Sequence, residues 1–373
     1  MTREQPDKVK LFCLTSLEEM MPYILFFCGL LLLAYGGLWL SGRQRLREWH
    51  TQSCTYGSLA QLGERQVFYR LRGHGPVTVV FEAGLGTPSA EWWELQDLLA
   101  SHAQVLTYDR AGYGWSTPSE VARTPNQIAQ ELAALLEYVG LNTPLILVGH
   151  SQGGLYVHQF VRNYPHMVAG VVLLDPRSPQ NARFQQQLSP PVYRRSGVDK
   201  TAGIGALLWL SQVGFLRLMK AMILKSPPFF YYKTMAPPIR EVIWGHLLQP
   251  HSARVALDED RQAQTNSAIA PLLDSATFPQ VPLTVLAHDS ATIIDELVRY
   301  AGLTPAEAQQ VETVWQQLLY EHTQLSDQSR WIEVVGASHF MHQDQPEAVL
   351  AAIHTMIAQY PITKERMHHE ISS

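Results

Sequence analysis

Ser151 stands in the run Gly149-His150-Ser151-Gln152-Gly153-Gly154, a spacing that can turn a hydroxyl into a nucleophile. An apolar run, Pro144 to Val148, precedes it, and an amphipathic stretch, Leu155 to Tyr164, follows. G-x-S-x-G needs this context of strand, tight turn and helix, because the turn exposes Oγ at the carboxyl end of a sheet. Gly149 and Gly153 are small where a side chain would meet the neighbouring strand or helix. The helix amino terminus behind Ser151 would direct free N–H groups and a partial positive charge at an oxyanion formed there. A serine hydroxyl hardly ionises at neutral pH, so a base is required. His339 is the candidate, in the loop after Trp331 to Val335, which reads as the last strand. His342 is close by but lacks the small residues that precede His339, and reads as a structural or supporting group.

These residues need a sheet to hold them. Ser58 to Leu62 and Gln66 to Leu71 flank Gly63-Glu64-Arg65 and read as an opening hairpin. Val77 to Phe81 is a continuous β-branched run, as a strand buried on both faces should be. A helical pattern over Trp92 to Leu99 leads to a strand at Val105 to Tyr108. Thr124 and Gly140 cap a helix from about Pro125 to Val139. The elbow strand and its helix come next, then a sixth strand, Val168 to Leu174, ending at Asp175-Pro176. Pro282 to Ala287 reads as the seventh strand, and Pro346 to Tyr360 as the closing helix. Alternation at this pace predicts a mostly parallel, doubly wound sheet that binds ligands at the carboxyl ends of its strands.

Four segments occur in order: Phe81-Glu82-Ala83-Gly84-Leu85-Gly86, Tyr108-Asp109-Arg110-Ala111-Gly112-Tyr113-Gly114-Trp115-Ser116, Gly149-His150-Ser151-Gln152-Gly153-Gly154 and Gly336-Ala337-Ser338-His339-Phe340. Over roughly residues 56 to 360 the chain thereby resembles the α/β-hydrolase fold superfamily. The resemblance implies a Ser–His–acid triad. Relatives usually carry the acid after the seventh strand, where Asp289 is nearest and Asp295 lies further on, but Ala291 occupies about the usual place. Asp175, at the end of the sixth strand, is the position some branches use, and is preferred, with Asp289 the alternative. The acid would accept the His339 Nδ1 proton and stabilise the imidazolium. The oxyanion hole would use the backbone N–H groups of Leu85 and Gln152. Glu82 stands where relatives often carry a histidine, without threatening a hole made of backbone donors. Asp109 and Arg110 read as a structural pair that steadies neighbouring loops.

Between Arg177 and Gln280 lies an insertion too long for a loop. Its apolar stretch Ile204 to Met219, with Met222, Ile223, Leu224 and Phe229 to Tyr232, predicts a helical lid over Ser151 that forms the acyl-side pocket and excludes water. A second helical insertion, Thr304 to Leu325, would join its rim. The expectation is a serine hydrolase of esters with an apolar acyl group. Acyl transfer, amide or thioester cleavage, and a non-catalytic lipid- or partner-binding protein are the alternatives. No organic cofactor is implied. No metal is either: there is no H-E-x-x-H, and His339-x-x-His342 and His368-His369 lack further ligands in the nearby sequence.

With a net charge of −5 and no long basic block, the 373 residues do not suggest a nucleic-acid partner. The three cysteines, Cys13, Cys28 and Cys54, form no C-x-x-C pair and leave the rest of the chain without a disulfide framework. From Glu19 to Arg43 no charged residue intervenes. That uncharged run includes Tyr23 to Leu40, long enough at about 1.5 Å per residue to match a hydrocarbon core of about 30 Å. A cleaved signal peptide, with Ala34-Tyr35-Gly36 as its site, is the rival, but the apolar run continues to Leu40 and favours an uncleaved anchor. Arg43, Arg45 and Arg47 flank it more closely than Arg3, Lys8 and Lys10. They favour a cytoplasmic catalytic domain, more so if Met20 or Met21 is the true start. The expected organisation is a tail at 1–19, a single transmembrane helix at 20–42, a linker at 43–55 and the hydrolase core at 56–176 and 281–362. A helical cap fills 177–280 and a tail 363–373. The oligomeric state is not specified.

Overall fold

The computed structural model describes residues 17–371 apart from 142 and 228, with side chains described over 20–360 apart from 38, 45, 142 and 228. The expected leader residues Arg3, Lys8, Lys10 and Cys13 lie outside the described residues. The chain divides into two units, 1–48 and 49–373.

In the first unit the apolar run lies in a helix, Leu17–Thr51, that is long and apolar enough to cross a membrane. Phe26, Leu31, Leu32 and Leu33 are exposed on it. The helix outlasts the expected span. Arg43 to Thr51, read from sequence as a polar linker, continues it, because Arg, Gln, Leu and Glu are good helix formers and no breaker intervenes. A further short helix, Ser53–Tyr56, follows. Trp49, within the expected linker, is a buried residue of the second unit, stacked on Trp115 at 4.7 Å.

The second unit is built on one eight-stranded sheet. Its strands are β1 (Ser58–Leu62), β2 (Arg65–Arg72), β3 (Thr78–Glu82), β4 (Gln104–Tyr108), β5 (Leu145–His150), β6 (Val168–Leu174), β7 (Leu283–Ala287) and β8 (Ser329–Glu333), in spatial order β1-β2-β4-β3-β5-β6-β7-β8. The opening hairpin and the β2–β4 pair are antiparallel, and the remaining pairs are parallel. Central strands read as unbroken apolar runs because side chains alternate between two covered faces. Val80, Leu147, Val171 and Val285 point to one face, where helices Pro125–Val139 and Gly153–Asn163 contribute Leu132, Leu136 and Phe160. Phe81, Val148, Val172 and Leu286 point to the other, onto Leu95 and Leu99 of helix Trp93–Leu99 and Val349, Ile353 and Met356 of the closing helix. The closing helix runs from Pro346 to Ile371, so most of the expected carboxyl-terminal tail is helical.

The insertion between β6 and β7 is helical throughout its larger pieces, Thr201–Gln212, Pro237–Leu247 and Pro250–Gln262 among them. Beyond β7, helices Ser290–Ala301 and Pro305–Glu321 pack against Phe184 and Val192 of the cap's first segment. Two adjacent strand ends, those of β5 and β6, thus open beneath this helical cover.

Candidate active site

Ser151 follows β5 directly and has φ +52°, a left-handed backbone that non-glycine residues rarely adopt. The turn is locked from both sides. Ser151 N–H donates to Leu174 O at 3.0 Å, and Arg177 N–H donates to Ser151 O at 2.8 Å. Gly153 is forced by packing, since a Cβ there would lie 2.4 Å from the Glu82 carbonyl oxygen. Asp175, the residue after β6, has φ +42° and is buried. Among the described residues these two are the non-glycine positions with positive φ.

The loop after β8 brings His339 between them. His339 Nε2 lies 3.0 Å from Ser151 Oγ, and its Nδ1 meets Asp175 Oδ2. Residues 188 and 164 positions apart in the chain therefore share one line of hydrogen bonds. Asp289, the alternative acid, is elsewhere. Its Oδ1 caps helix Ser290–Ala301 through the N–H groups of Ala291 and Thr292, and its Oδ2 accepts from Gly336 N–H. Asp295 is exposed and paired with Arg299.

The second oxygen of Asp175 is held by a residue that sequence reasoning passed over. His288, immediately after β7, places Nδ1 2.7 Å from Asp175 Oδ1 and Nε2 3.1 Å from both carboxylate oxygens of Glu312. Glu312, on helix Pro305–Glu321, accepts in turn from Ser290 Oγ and Gln316 Nε2. Burial alone would lower the His288 pKa, but the two carboxylates outweigh it and raise it to about 10. Burial would likewise raise that of Asp175, but His288 and His339 overrule it and hold the carboxyl well below its usual range. The signal available was position: a titratable residue at the carboxyl end of a central strand.

Leu85 and Gln152 line the same cavity as Ser151 and His339. The backbone on either side of Leu85 is committed. Gly84 O accepts from Arg110 Nη2 at 2.8 Å, Gly86 N–H donates to Tyr113 OH at 3.0 Å, and His246 Nε2 donates to Gly86 O at 3.0 Å. Arg110 does not pair with Asp109 as the sequence suggested. Arg110 instead joins Glu82 of β3 to Glu259 of the cap, all three buried. Asp109 accepts from the N–H groups of Ser89 and Trp115.

The cavity wall also departs from expectation. Phe184, Val198, Trp315 and Leu318 line it, from the first cap segment and from helix Pro305–Glu321, along with Arg177 and Asn181. The stretch expected to form the acyl-side lid, Ile204 to Met219, packs largely on other cap helices. Leu207, Leu210 and Leu216 gather around Ile223 and Trp244, while Trp209, Phe215 and Leu218 are exposed. A hydrophobic run in one dimension does not reveal which partner it will cover.

Behind His339 sits a second histidine group. His150 Nε2 donates to the His339 carbonyl oxygen at 2.8 Å, and His342 stacks on Trp92 at 4.4 Å while facing Glu91. Burial first, then His342 and His339, push the His150 pKa well down, so its ring is neutral. Glu91, His150 and His342 present metal-capable atoms within 4.8 Å of one another. His342 is thus part of the packing behind His339, with Glu91 rather than a sequence neighbour as its partner.

The family model described as Alpha/beta hydrolase family matches residues 79–352. Protein YqjL of Bacillus subtilis, whose function is uncharacterised, is 27% identical over 283 residues, covering 76% of this chain and 84% of its own. An AB hydrolase superfamily protein of Gibberella zeae is 24% identical over 307 residues, covering 79% and 91%. A solved structure described as a putative alpha/beta hydrolase from Nostoc sp. PCC 7120 superposes with a TM-score of 0.60 at 18% identity, over 81% of this chain and 97% of that one.

Proposed function

Because the chain belongs to the alpha/beta hydrolase family, we propose that it is a serine hydrolase cleaving carboxylic esters through an acyl-enzyme on Ser151. The observation that carries this reading is the 3.0 Å approach of Ser151 Oγ to His339 Nε2, on an imidazole whose other nitrogen faces Asp175. Oγ attacks the substrate carbonyl while Nε2 takes the hydroxyl proton. Nδ1–H stays on Asp175, whose charge stabilises the imidazolium. The N–H groups of Leu85 and Gln152 receive the oxyanion, aided by the amino terminus of helix Gly153–Asn163. His339 then passes its proton to the leaving alcohol, and a water activated by the same nitrogen resolves the ester on Ser151.

Phe184, Val198, Trp315 and Leu318 support an apolar acyl group. The helix Leu17–Thr51 supports a single-pass membrane anchor, and Arg43 and Arg47 at its carboxyl flank support a cytoplasmic catalytic unit. A lipophilic ester reaching the cavity from a bilayer suits both features. The test is hydrolysis of p-nitrophenyl esters of graded acyl length by the full chain in detergent. Turnover that His339→Gln lowers at least about 10²-fold agrees with the reading. Equal hydrolysis by wild type and variant contradicts it.

A further inference from the structure

Asp175 is a buried carboxylate with two oxygens, and a Ser–His–Asp line uses only one of them. Left alone, the other would be a charged acceptor out of reach of water, which is costly. In this fold His288 meets that oxygen at 2.7 Å, and Glu312 meets the far side of the same ring. Side chains of Asp175, His288 and Glu312 are at most 1% exposed. The Trp315 ring lies edge-on to His288 at 4.9 Å and tilted to His339 at 5.6 Å, closing both imidazoles off on one side. Register makes the arrangement possible. β6 and β7 pair in parallel, Asp175 N–H donates to Leu286 O, and the next strand end therefore delivers His288 alongside the carboxylate.

Resting on the catalytic reading of Ser151 and His339, we propose that His288 and Glu312 are positioning residues. They extend the line to Ser151–His339–Asp175–His288–Glu312 and set the charge that His339 faces. Both ring nitrogens of His288 face carboxylates, so both carry protons. The buried set then holds two carboxylates and one imidazolium, a net charge of −1. That is the charge a transient imidazolium at His339 requires. Without His288, Asp175 and Glu312 would leave two uncompensated negative charges beside His339. Without Glu312, the cation on His288 would cancel Asp175. His288 faces Asp175 from β6 and Glu312 from helix Pro305–Glu321, with the carboxylates of Asp289 and Glu296 as the further charges near it. Ser290 Oγ donates to Glu312, Gln316 bridges Glu312 and the His288 carbonyl oxygen, and His339 itself also faces the His150 ring at 4.8 Å.

A purely structural role for His288 and Glu312 would not move the pH dependence of the reaction in opposite directions. The pH dependence of kcat/KM for a p-nitrophenyl ester is measured on the full chain for wild type, His288→Gln, Glu312→Gln and the double variant, with Ser151→Ala alongside. His288→Gln moves the acid limb to higher pH, Glu312→Gln moves it to lower pH, and the double variant returns it close to wild type. In all three, kcat falls about tenfold or more with KM within about twofold, part of the 10²–10⁴ that general-base catalysis supplies. Limbs that stay in place, with kcat within twofold of wild type, overturn the proposal. Hydrolysis that survives Ser151→Ala undoes the catalytic reading itself, a separate outcome. Should the variants fold poorly, the wild-type chain with 15N-labelled histidine supplies the second measurement. One imidazole doubly protonated at pH 8 supports the proposal, and none in that state overturns it.

Discussion

Ser151 and Asp175 follow neighbouring strands and share a left-handed backbone, at φ +52° and +42°. Leu174, just before Asp175, accepts the Ser151 N–H, and Arg177, two residues after it, donates to the Ser151 carbonyl oxygen. The two turns therefore brace each other, and each presents its side chain to His339. Strain of this kind costs on the order of 1–3 kcal/mol per residue and persists where surrounding structure imposes it.

Ser151→Gly should release part of that strain. Thermal or urea unfolding should show a gain of up to about 1 kcal/mol, together with complete loss of ester turnover. A loss of stability on this substitution would mean the turn is not strained.

Asp175→Asn and Asp289→Asn separate the two candidate acids. Asp175→Asn removes the charge that holds His339 in its productive tautomer and should lower kcat by about 10³–10⁴. Asp289→Asn still caps helix Ser290–Ala301 but cannot accept from Gly336 N–H as Oδ2 does, so kcat should fall far less than in Asp175→Asn. Near-normal turnover by Asp175→Asn would transfer the role to another residue.

The buried network also sets a pH window for stability. Asp175 has its pKa lowered on folding, so its contribution is complete above about 3.8 and is lost as pH falls through the depressed value. His288 has its pKa raised from 6.5 to about 10, so its contribution is complete below 6.5 and is lost as pH rises through 10. The Tm difference between wild type and His288→Gln should be widest from about pH 4 to 6.5 and should narrow toward pH 10. A gap constant from pH 5 to 10 would contradict a charged His288.

Glu259 ties the cap to the core through Arg110, whose guanidinium also holds Gly84 O beside Leu85. Glu259→Ala leaves Arg110 buried with Glu82 alone. It should cost about 3 kcal/mol by urea denaturation and lower kcat by loosening the Leu85 turn. Unchanged stability would show that Glu82 suffices.

The mostly parallel sheet and the meeting of Ser151 with His339 were legible because each rests on a local pattern: β-branched runs, an elbow between glycines, a histidine after the last strand. Which aspartate meets His339 was only half legible, since Asp175 and Asp289 both follow central strands and a helix cap and an imidazole partner look alike in sequence. Arg110–Glu259 and His288–Glu312 were not legible at all. The first joins residues 149 positions apart, and the second depends on one helix face meeting a strand end. The apolar run Ile204 to Met219 misled because burial against cap helices and burial around a ligand have the same composition.

The most direct measurement is the site of covalent labelling by a fluorophosphonate on the full chain. A single phosphonyl adduct mapping to Ser151 by mass spectrometry, absent in Ser151→Ala and strongly slowed in His339→Gln, is the expected result. Folded wild-type protein that takes no label, or takes it at another residue, would contradict it.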